Sequence, residues 1–209
     1  CSIHISRFPL GQRLLNREAS RSAFLQISVW SVESIPFPDK ASIEKLLKDS
    51  NIEFKEMTHE KLESMQAGLD YFAKNKPEVE NYTFLKNLFL KNKASPELYL
   101  ISADNNTVTD FKVLCKLFKT KNGNIRNAEE DKMESILHVK HGELNLFSIL
   151  NATEEQRKLI EVHFDAAVTT EYVGVHPMTN EATVFLKKDD LIKLLESKGI
   201  KINITSFEV

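Results

Sequence analysis

Thiols are almost missing from this chain, whose 209 residues include two cysteines, Cys1 and Cys115. Two thiols cannot build a disulfide framework, and such sparse cysteine is typical of proteins in a reducing compartment. We therefore expect a cytoplasmic location. Long apolar runs are missing as well, since none approaches the roughly 18 residues that a membrane-spanning helix requires. The sequence therefore predicts no membrane partner.

Glycine is scarce, with six residues that form no cluster. The chain has no Gly-rich phosphate-binding loop and no Gly-X-Ser-X-Gly sequence, which excludes a P-loop nucleotide site and a serine hydrolase with that nucleophile elbow. A strong net charge is also absent, because 28 basic residues and 30 acidic residues leave a formal charge of −2. Any contact with nucleic acid must therefore rest on a local basic face, not on the overall field.

The first 37 residues differ in composition from the rest of the chain. Arginine supplies their positive charge and their acids are Glu18 and Glu33, whereas lysine predominates from Lys40 onward. This pattern is typical of an organellar transit peptide and equally of an appended extension. We predict a leader at 1–37, which the Pro-rich sequence IPFPDK joins to one domain at 38–209. A transit peptide would make the location organellar.

Helical and strand periodicities alternate irregularly beyond this linker. Helices are predicted near 43–47 and 60–74, after the capping residues Asp110 and Asn127, and at 191–195 before Gly199. Strands are predicted near 52–54 and at 84–92, 97–104, 146–150, 162–168, 172–175, 182–186 and 201–205. Because several strands are neighbours in the chain, the pattern predicts an α+β domain with a mostly antiparallel or mixed sheet and helices packed on it.

Two groupings of reactive side chains have ordinary explanations. His138 and His141, together with Glu134 and Glu143, could ligate a metal from one helix face. No further ligand cluster accompanies them, so a solvated helix end is favoured. Cys115 stands on an apolar helix face, where a buried structural thiol is favoured over a nucleophile. We predict no metal and no cofactor.

Two other features carry candidate chemistry. Lys86 interrupts the apolar strand pattern at 84–90, where a buried ammonium group costs several kcal/mol unless it is paired. The alternative is an edge-strand lysine that discourages aggregation. The second feature is a histidine-led turn ahead of the last helix, with His176, Thr179, Asn180 and Thr183 close together. These groups could hydrogen-bond a small polar substrate or simply cap a turn.

Three segments resemble, in order and spacing, the prolyl-tRNA editing family. The segments are LKNLFLKNK with LYLISAD, NIRNAEEDKMESILHVKHGELNLFSILN, and VHPMTNEATVFLKKDDLIKLLESKG. That family includes free-standing alanyl-tRNA(Pro) deacylases, YbaK-type deacylases and the editing insertion of bacterial prolyl-tRNA synthetases. The resemblance runs from about Asp39 to the C-terminus. It implies the family's fold and an aminoacyl-tRNA deacylase, in which water attacks the ester between alanine and the terminal ribose of tRNA(Pro).

The resemblance also implies roles for individual residues. The implied catalytic residues are Lys86, which would hold the 3′-terminal nucleotide, and His176, which would shape the site around the ester. The implied substrate-binding residues are Gly142, Thr179 and Asn180. The lysines expected to contact the acceptor stem, weakly and in a salt-dependent way, are Lys91, Lys93, Lys119 and Lys121. The expected partners are aminoacylated tRNA(Pro) and, because protozoan prolyl-tRNA synthetases carry such a domain at their N-terminus, a synthetase body in cis or in trans.

One departure from the family pattern leaves the substrate open. The family usually shows a Gly-X-Val-X-Pro loop, whereas this chain has Leu146 in place of the proline, in the segment that begins at Gly142. That loop shapes the wall of the aminoacyl pocket in relatives. Two alternatives to alanine hydrolysis therefore remain, a cysteinyl-tRNA(Pro) deacylase and a non-catalytic tRNA-binding domain appended to prolyl-tRNA synthetase.

Overall fold

The computed structural model describes residues 38–140 and 142–207. The predicted leader at 1–37 lies outside the described residues. The helices are α1 (Lys40–Asp49), α2 (Met65–Lys74), α3 (Phe111–Leu117), α4 (Glu130–Leu137), a 3-10 helix (Leu146–Asn151), α5 (Glu154–Arg157) and α6 (Lys188–Ser197). The strands are β1 (Phe54–Thr58), β2 (Tyr82–Asn92), β3 (Leu98–Asp104), β4 (Ile125–Asn127), β5 (Ile160–Asp165), β6 (Tyr172–Val175), β7 (Ala182–Lys187) and β8 (Ile202–Thr205).

All eight strands join one sheet in the order β1-β7-β6-β2-β3-β5-β8, with β4 beside the end of β2. The pairs β2–β6, β3–β5 and β5–β8 are parallel and the others are antiparallel. This mixed sheet with packed helices confirms the predicted α+β class. Because β2 lies between β6 and β3, Lys86 stands on an interior strand. One side of β2 is nevertheless unpaired at Lys86, since β2 pairs with β6 only up to Phe84 and with β4 only from Leu90, so the strand order does not decide against the edge-strand explanation.

Local sequence explains most element boundaries. Asp39 caps α1 and Asp110 caps α3, each through a side chain that accepts from a backbone N–H. Gly199 follows α6 with φ of 77°, the left-handed conformation that glycine favours at a helix end. Two predictions were wrong. Asn127 belongs to β4 and Glu129 precedes α4 as its N-cap, and the predicted strand at 146–150 is the 3-10 helix.

The apolar core lies on both faces of the sheet, because successive strand residues point to opposite sides. One face, which includes Leu85 and Phe89 of β2, packs against α1, α4, α6 and the 3-10 helix. The other face carries two smaller clusters. One of them includes Phe72 of α2 and Phe185, and the other includes Leu90 and the α3 residue Leu114. None of the helices described at 38–140 and 142–207 is long and apolar enough to cross a membrane.

Candidate functional site

The sheet divides where β2 and β6 part. These strands are parallel partners over a short stretch, in which Tyr82 pairs with Tyr172 and Phe84 pairs with Gly174. From Leu85 to Phe89, β2 pairs with β3 alone, and β4 joins its other side from Leu90. A cavity of about 340 Å³ opens at this fork. Its volume is at the lower end of the range of roughly 300–1,000 Å³ that is usual for small-molecule sites.

Lys86 and His176 both line this cavity. The pairing of Phe84 with Gly174 fixes the register of the two strands. Two residues further along the chain from this pair, the same register leads to Lys86 in β2 and to His176, which directly follows β6. The structure therefore places at one cavity the two residues that the resemblance marks as catalytic.

The walls of the fork depend on two glycines. A Cβ atom at Gly174 would lie 2.8 Å from a ring carbon of Phe84, so the phenyl ring can pack there only because the side chain is absent. Gly142 has φ of 86°, and a Cβ atom on it would lie 3.2 Å from Nδ2 of Asn180. Both glycines line the cavity. Larger residues at either position would fill or distort it.

Lys86 is half-buried, and its ammonium group donates a hydrogen bond to the backbone carbonyl of Thr107. Burial lowers the pKa of Lys86 below the ordinary lysine value, and the nearby carboxylates of Asp165 and Asp104 partly offset this effect. An ammonium group has three donors, so this bond leaves two for a ligand. A desolvated lysine in a cavity is a candidate functional group.

The imidazole of His176 is held in one tautomer. Nδ1 lies 3.0 Å from the carbonyl oxygen of Ala182, to which it must donate, so Nε2 of the neutral ring carries the lone pair. Burial lowers the pKa of His176, and the neighbouring His59 lowers it further, whereas the bond to Ala182 opposes the shift. His176 is therefore neutral at neutral pH and offers an acceptor.

A second histidine supports this ring. Nδ1 of His59 donates to the carbonyl of Glu60 at 2.8 Å, so its Nε2 accepts from the hydroxyl of Thr183 at 2.9 Å. The same hydroxyl oxygen lies 3.5 Å from Nδ1 of His176, and the two imidazole centroids are 6.0 Å apart. Sequence reasoning missed His59. It is 124 residues from Thr183, and the pairing of β1 with β7 brings the two together.

Two of the three predicted substrate-binding residues line the cavity, Gly142 and Asn180. Asn180 is 5% exposed and donates from Nδ2 to the carbonyl of Leu62 at 2.8 Å. Its Oδ1 has no hydrogen-bond partner among the described residues. Thr179 is not among the cavity residues, and its hydroxyl accepts from the backbone N–H of Glu181 at 3.3 Å. The structure therefore does not place Thr179 at the cavity, and this side chain closes the turn.

The four predicted acceptor-stem lysines do not form one group. Lys91 pairs with Glu129 beside β4. Lys93, Lys119 and Lys121 are exposed. From Lys86 to Lys91 the strand advances five residues, about 16 Å along β2. Lys91 consequently lies away from Lys86, and none of the four lysines lines the cavity. His141 of the metal alternative lies outside the described residues, and within the described part no three His, Cys, Asp or Glu side chains are placed to hold a metal ion.

Comparison with known proteins gives the family of the chain. Residues 59–194 match the family model of the aminoacyl-tRNA editing domain. The prolyl-tRNA editing protein ProX of Acetoanaerobium sticklandii is 35% identical over 127 residues, which are 59% of this chain and 74% of that protein. The prolyl-tRNA synthetase associated domain-containing protein 1 of Xenopus laevis is 29% identical over 114 residues, which are 54% of this chain and 67% of that protein.

Solved structures share the fold. The hypothetical protein APE2540 superposes with a TM-score of 0.56 at 12% identity, over 78% of this chain and 97% of that one. A candidate trans-editing enzyme for prolyl tRNA synthetase gives 0.53 at 11% identity, over 79% and 94% of the two chains. At such identities the likeness concerns the fold alone. The family model and the relative from Acetoanaerobium sticklandii decide the family, and they confirm the resemblance: the chain belongs to the aminoacyl-tRNA editing domain family.

Proposed function

We propose that this domain hydrolyses alanyl-tRNA(Pro) and releases alanine. The observation that carries the proposal is the cavity at the strand fork, where Lys86 and His176 line the same small space. A synthetase pocket built for proline cannot exclude the smaller alanine by size, so a second, hydrolytic site is needed to correct the error. The similarity to a protein named for prolyl-tRNA editing supports tRNA(Pro) as the carrier.

The reaction needs placement more than a protein nucleophile. The oxygen of a water molecule bonds to the ester carbonyl carbon, and the bond from this carbon to the ribose oxygen then breaks. The ribose oxygen takes up a proton, so the products are alanine and tRNA with a free terminal hydroxyl. An ester is already activated, and fixing water and ester in one geometry can supply much of the acceleration.

Lys86 would hold the terminal nucleotide through its phosphate or ribose oxygens, with the two donors that the Thr107 carbonyl leaves unused. Nε2 of His176 would accept a hydrogen bond from the attacking water or from the neighbouring ribose hydroxyl. Between Phe84 and Leu90, the edge of β2 that faces the fork has no strand partner in the described chain. The carbonyl of Phe89 accepts from the N–H of Ala128, and other backbone groups on this edge are available to orient water.

The segment from Gly142 to Leu146, which departs from the family pattern, is held by a buried side chain and a helix cap in this chain. Leu146, which stands where relatives have proline, is completely buried and begins the 3-10 helix. Asn145 caps that helix, in a reciprocal capping box with Ser148. Gly142 and Leu144 line the cavity ahead of it. The wall of the cavity is thus ordered without the proline, and this favours a catalytic site over one that has lost its activity.

Incubating the full chain with alanyl-, cysteinyl- and prolyl-tRNA(Pro), and following release of each labelled amino acid, tests this function. We expect rapid release of alanine and no release of proline above the rate without protein. Preferential release of cysteine would instead make the domain a cysteinyl-tRNA(Pro) deacylase. Failure to release any amino acid, under conditions in which the protein binds tRNA, would favour the non-catalytic alternative.

The link between the two histidines gives a separate prediction. Thr183→Val removes the hydroxyl that joins His59 to His176 and keeps the size of the side chain. We expect kcat for alanyl-tRNA(Pro) to fall about fivefold, the equivalent of one hydrogen bond with a net worth of about 1 kcal/mol. Thr183→Ser restores the hydroxyl and should restore kcat. Equal kcat values for Thr183→Val and Thr183→Ser would show that the hydroxyl does not position His176.

A further inference from the structure

A local basic surface exists despite the negative net charge. The segment 111–128 contains no acid and five cations, namely Lys112, Lys116, Lys119, Lys121 and Arg126. This stretch includes α3, the turn that follows it, and β4. The sequence therefore concentrates positive charge in one place, as a local contact with a polyanion requires.

The helix turns this charge outward. Leu114 and Cys115 are buried in the cluster beneath α3, while Lys112 and Lys116, four residues apart, are exposed on one face of it. Lys119 follows the helix end with φ of 50°. Lys121 begins the next turn, in which its carbonyl accepts from the N–H of Asn124 at 3.0 Å. The carbonyl of Asn124 in turn accepts from the N–H of Lys93, also at 3.0 Å, so Lys93 joins the same surface.

We give the name α3 lysine face to Lys93, Lys112, Lys116, Lys119 and Lys121. All five are exposed, and none has a carboxylate within ion-pair distance in the structure as described. Lys91 differs, because Glu129 neutralises it. Five lysines without acidic partners leave positive charge available for phosphate groups. Proteins bind the phosphates of nucleic acids through lysine and arginine whatever the base sequence.

The α3 lysine face lies on the side of the sheet to which Lys86 points. Alternation along β2 places Lys86 on the same side as Leu88 and Leu90, against which α3 packs. The Lys86 ammonium group bonds to the carbonyl of Thr107, four residues before α3 begins at Phe111. Four residues of extended chain span at most about 14 Å. The helix therefore begins close to Lys86, which lines the cavity.

We infer that the α3 lysine face binds the sugar-phosphate backbone of the tRNA whose ester occupies the cavity. This inference rests on the proposed function. It revises the predicted set of acceptor-stem lysines, because it adds Lys112 and Lys116 and removes the paired Lys91. Such contacts release counterions, so the affinity should fall steeply as the salt concentration rises.

Charge reversal in the full chain tests the inference. The variant Lys112→Glu, Lys116→Glu, Lys119→Glu should bind uncharged tRNA(Pro) at least about tenfold more weakly in fluorescence anisotropy at low salt. The slope of log Kd against log salt concentration should fall by about 2 to 3, close to one per lost phosphate contact. The neutral variant Lys112→Gln, Lys116→Gln, Lys119→Gln, with a milder change of charge, should lose less affinity in the same direction.

A matched control comes from the opposite side of the sheet. Lys193, Lys198 and Lys201 are exposed residues in and after α6, which packs on the other face. Their replacement by glutamate changes the net charge by the same amount and should leave the Kd for tRNA within about twofold, since exposed charges beyond a Debye length are screened. Equal losses in the two triple variants would show that only net charge matters, and this would overturn the inference.

A short substrate separates the inference from the function it rests on. The alanyl ester of adenosine carries the reacting ester but lacks the phosphates that the α3 lysine face would bind. The charge-reversed variant should hydrolyse it as fast as the wild type while losing activity on alanyl-tRNA(Pro). If the wild type hydrolyses neither substrate but binds tRNA through these lysines, the proposed function fails and the inference stands. Wild-type affinity for tRNA in the charge-reversed variant would overturn the inference.

Discussion

Replacing Lys86 with alanine is expected to lower the rate of alanyl-tRNA(Pro) hydrolysis by a factor of about 10² to 10³, the loss that typically follows removal of one preorganised charged donor. The ammonium group is half-buried at the fork, where its attraction to a phosphate or ribose oxygen is less weakened by solvent than on the open surface. Single-turnover release of labelled alanine measures the loss.

Two variants show whether that loss comes from the site. Lys91→Ala removes a lysine from the same strand, but one that pairs with Glu129, and should leave the rate within about threefold because exposed ion pairs contribute little. Lys86→Met keeps the bulk of the side chain without its charge. It should be as slow as Lys86→Ala and melt no lower than the wild type, because a half-buried ammonium group is costly. A rate of Lys86→Ala equal to that of the wild type would refute the role of Lys86.

The second large effect is expected at His176. His176→Ala should reduce kcat by about 10², the lower range for a group that accepts a proton or orients water during the reaction. The wild-type rate should also show an acid limb. Because the pKa of His176 is lowered from 6.5, its neutral form persists below that pH, and the rate should fall only at more acidic values.

The pH profile identifies the residue responsible. His176→Asn keeps a polar side chain that cannot titrate, so its remaining activity should lack the acid limb. The protonated ring would donate from Nε2 instead of accepting, which is why acid should inactivate the wild type. An acid limb centred above 6.5, or one that persists unchanged in His176→Asn, would assign the titration to another group.

The sequence predicted secondary structure best where apolar residues recur with one period, that of a strand or of a helix, over a long segment. The alternation in β2 and β3 and the helical spacing in α6 predicted these elements and nearly their bounds. The apolar run at 146–150 was predicted incorrectly as a strand. A short apolar run has no period of its own, and the capping box between Asn145 and Ser148 decides for a 3-10 helix there. The predicted helix at 60–74 begins later, at Met65, because Ser64 caps it.

Pairing across the sheet could not be predicted. Periodicity shows that 84–92 is a strand, but it does not show that β2 is interior or that it parts from β6 beside the candidate lysine. The same limit hid His59, which meets Thr183 only through the pairing of β1 with β7. Resemblance to the family marked Lys86 and His176, and the strand fork explains physically why those two positions share a cavity.

The central claim is that one cavity, with Lys86 on one side and His176 on the other, holds the aminoacyl ester. A non-hydrolysable analogue tests it most directly: adenosine with alanine attached to the 3′ position by an amide. Titration of the full chain, with nitrogen NMR of the lysine ammonium and histidine ring signals, should shift the signals of Lys86 and His176 together, with one saturation curve. Saturable binding that shifts neither signal, or only one of them, would contradict the account.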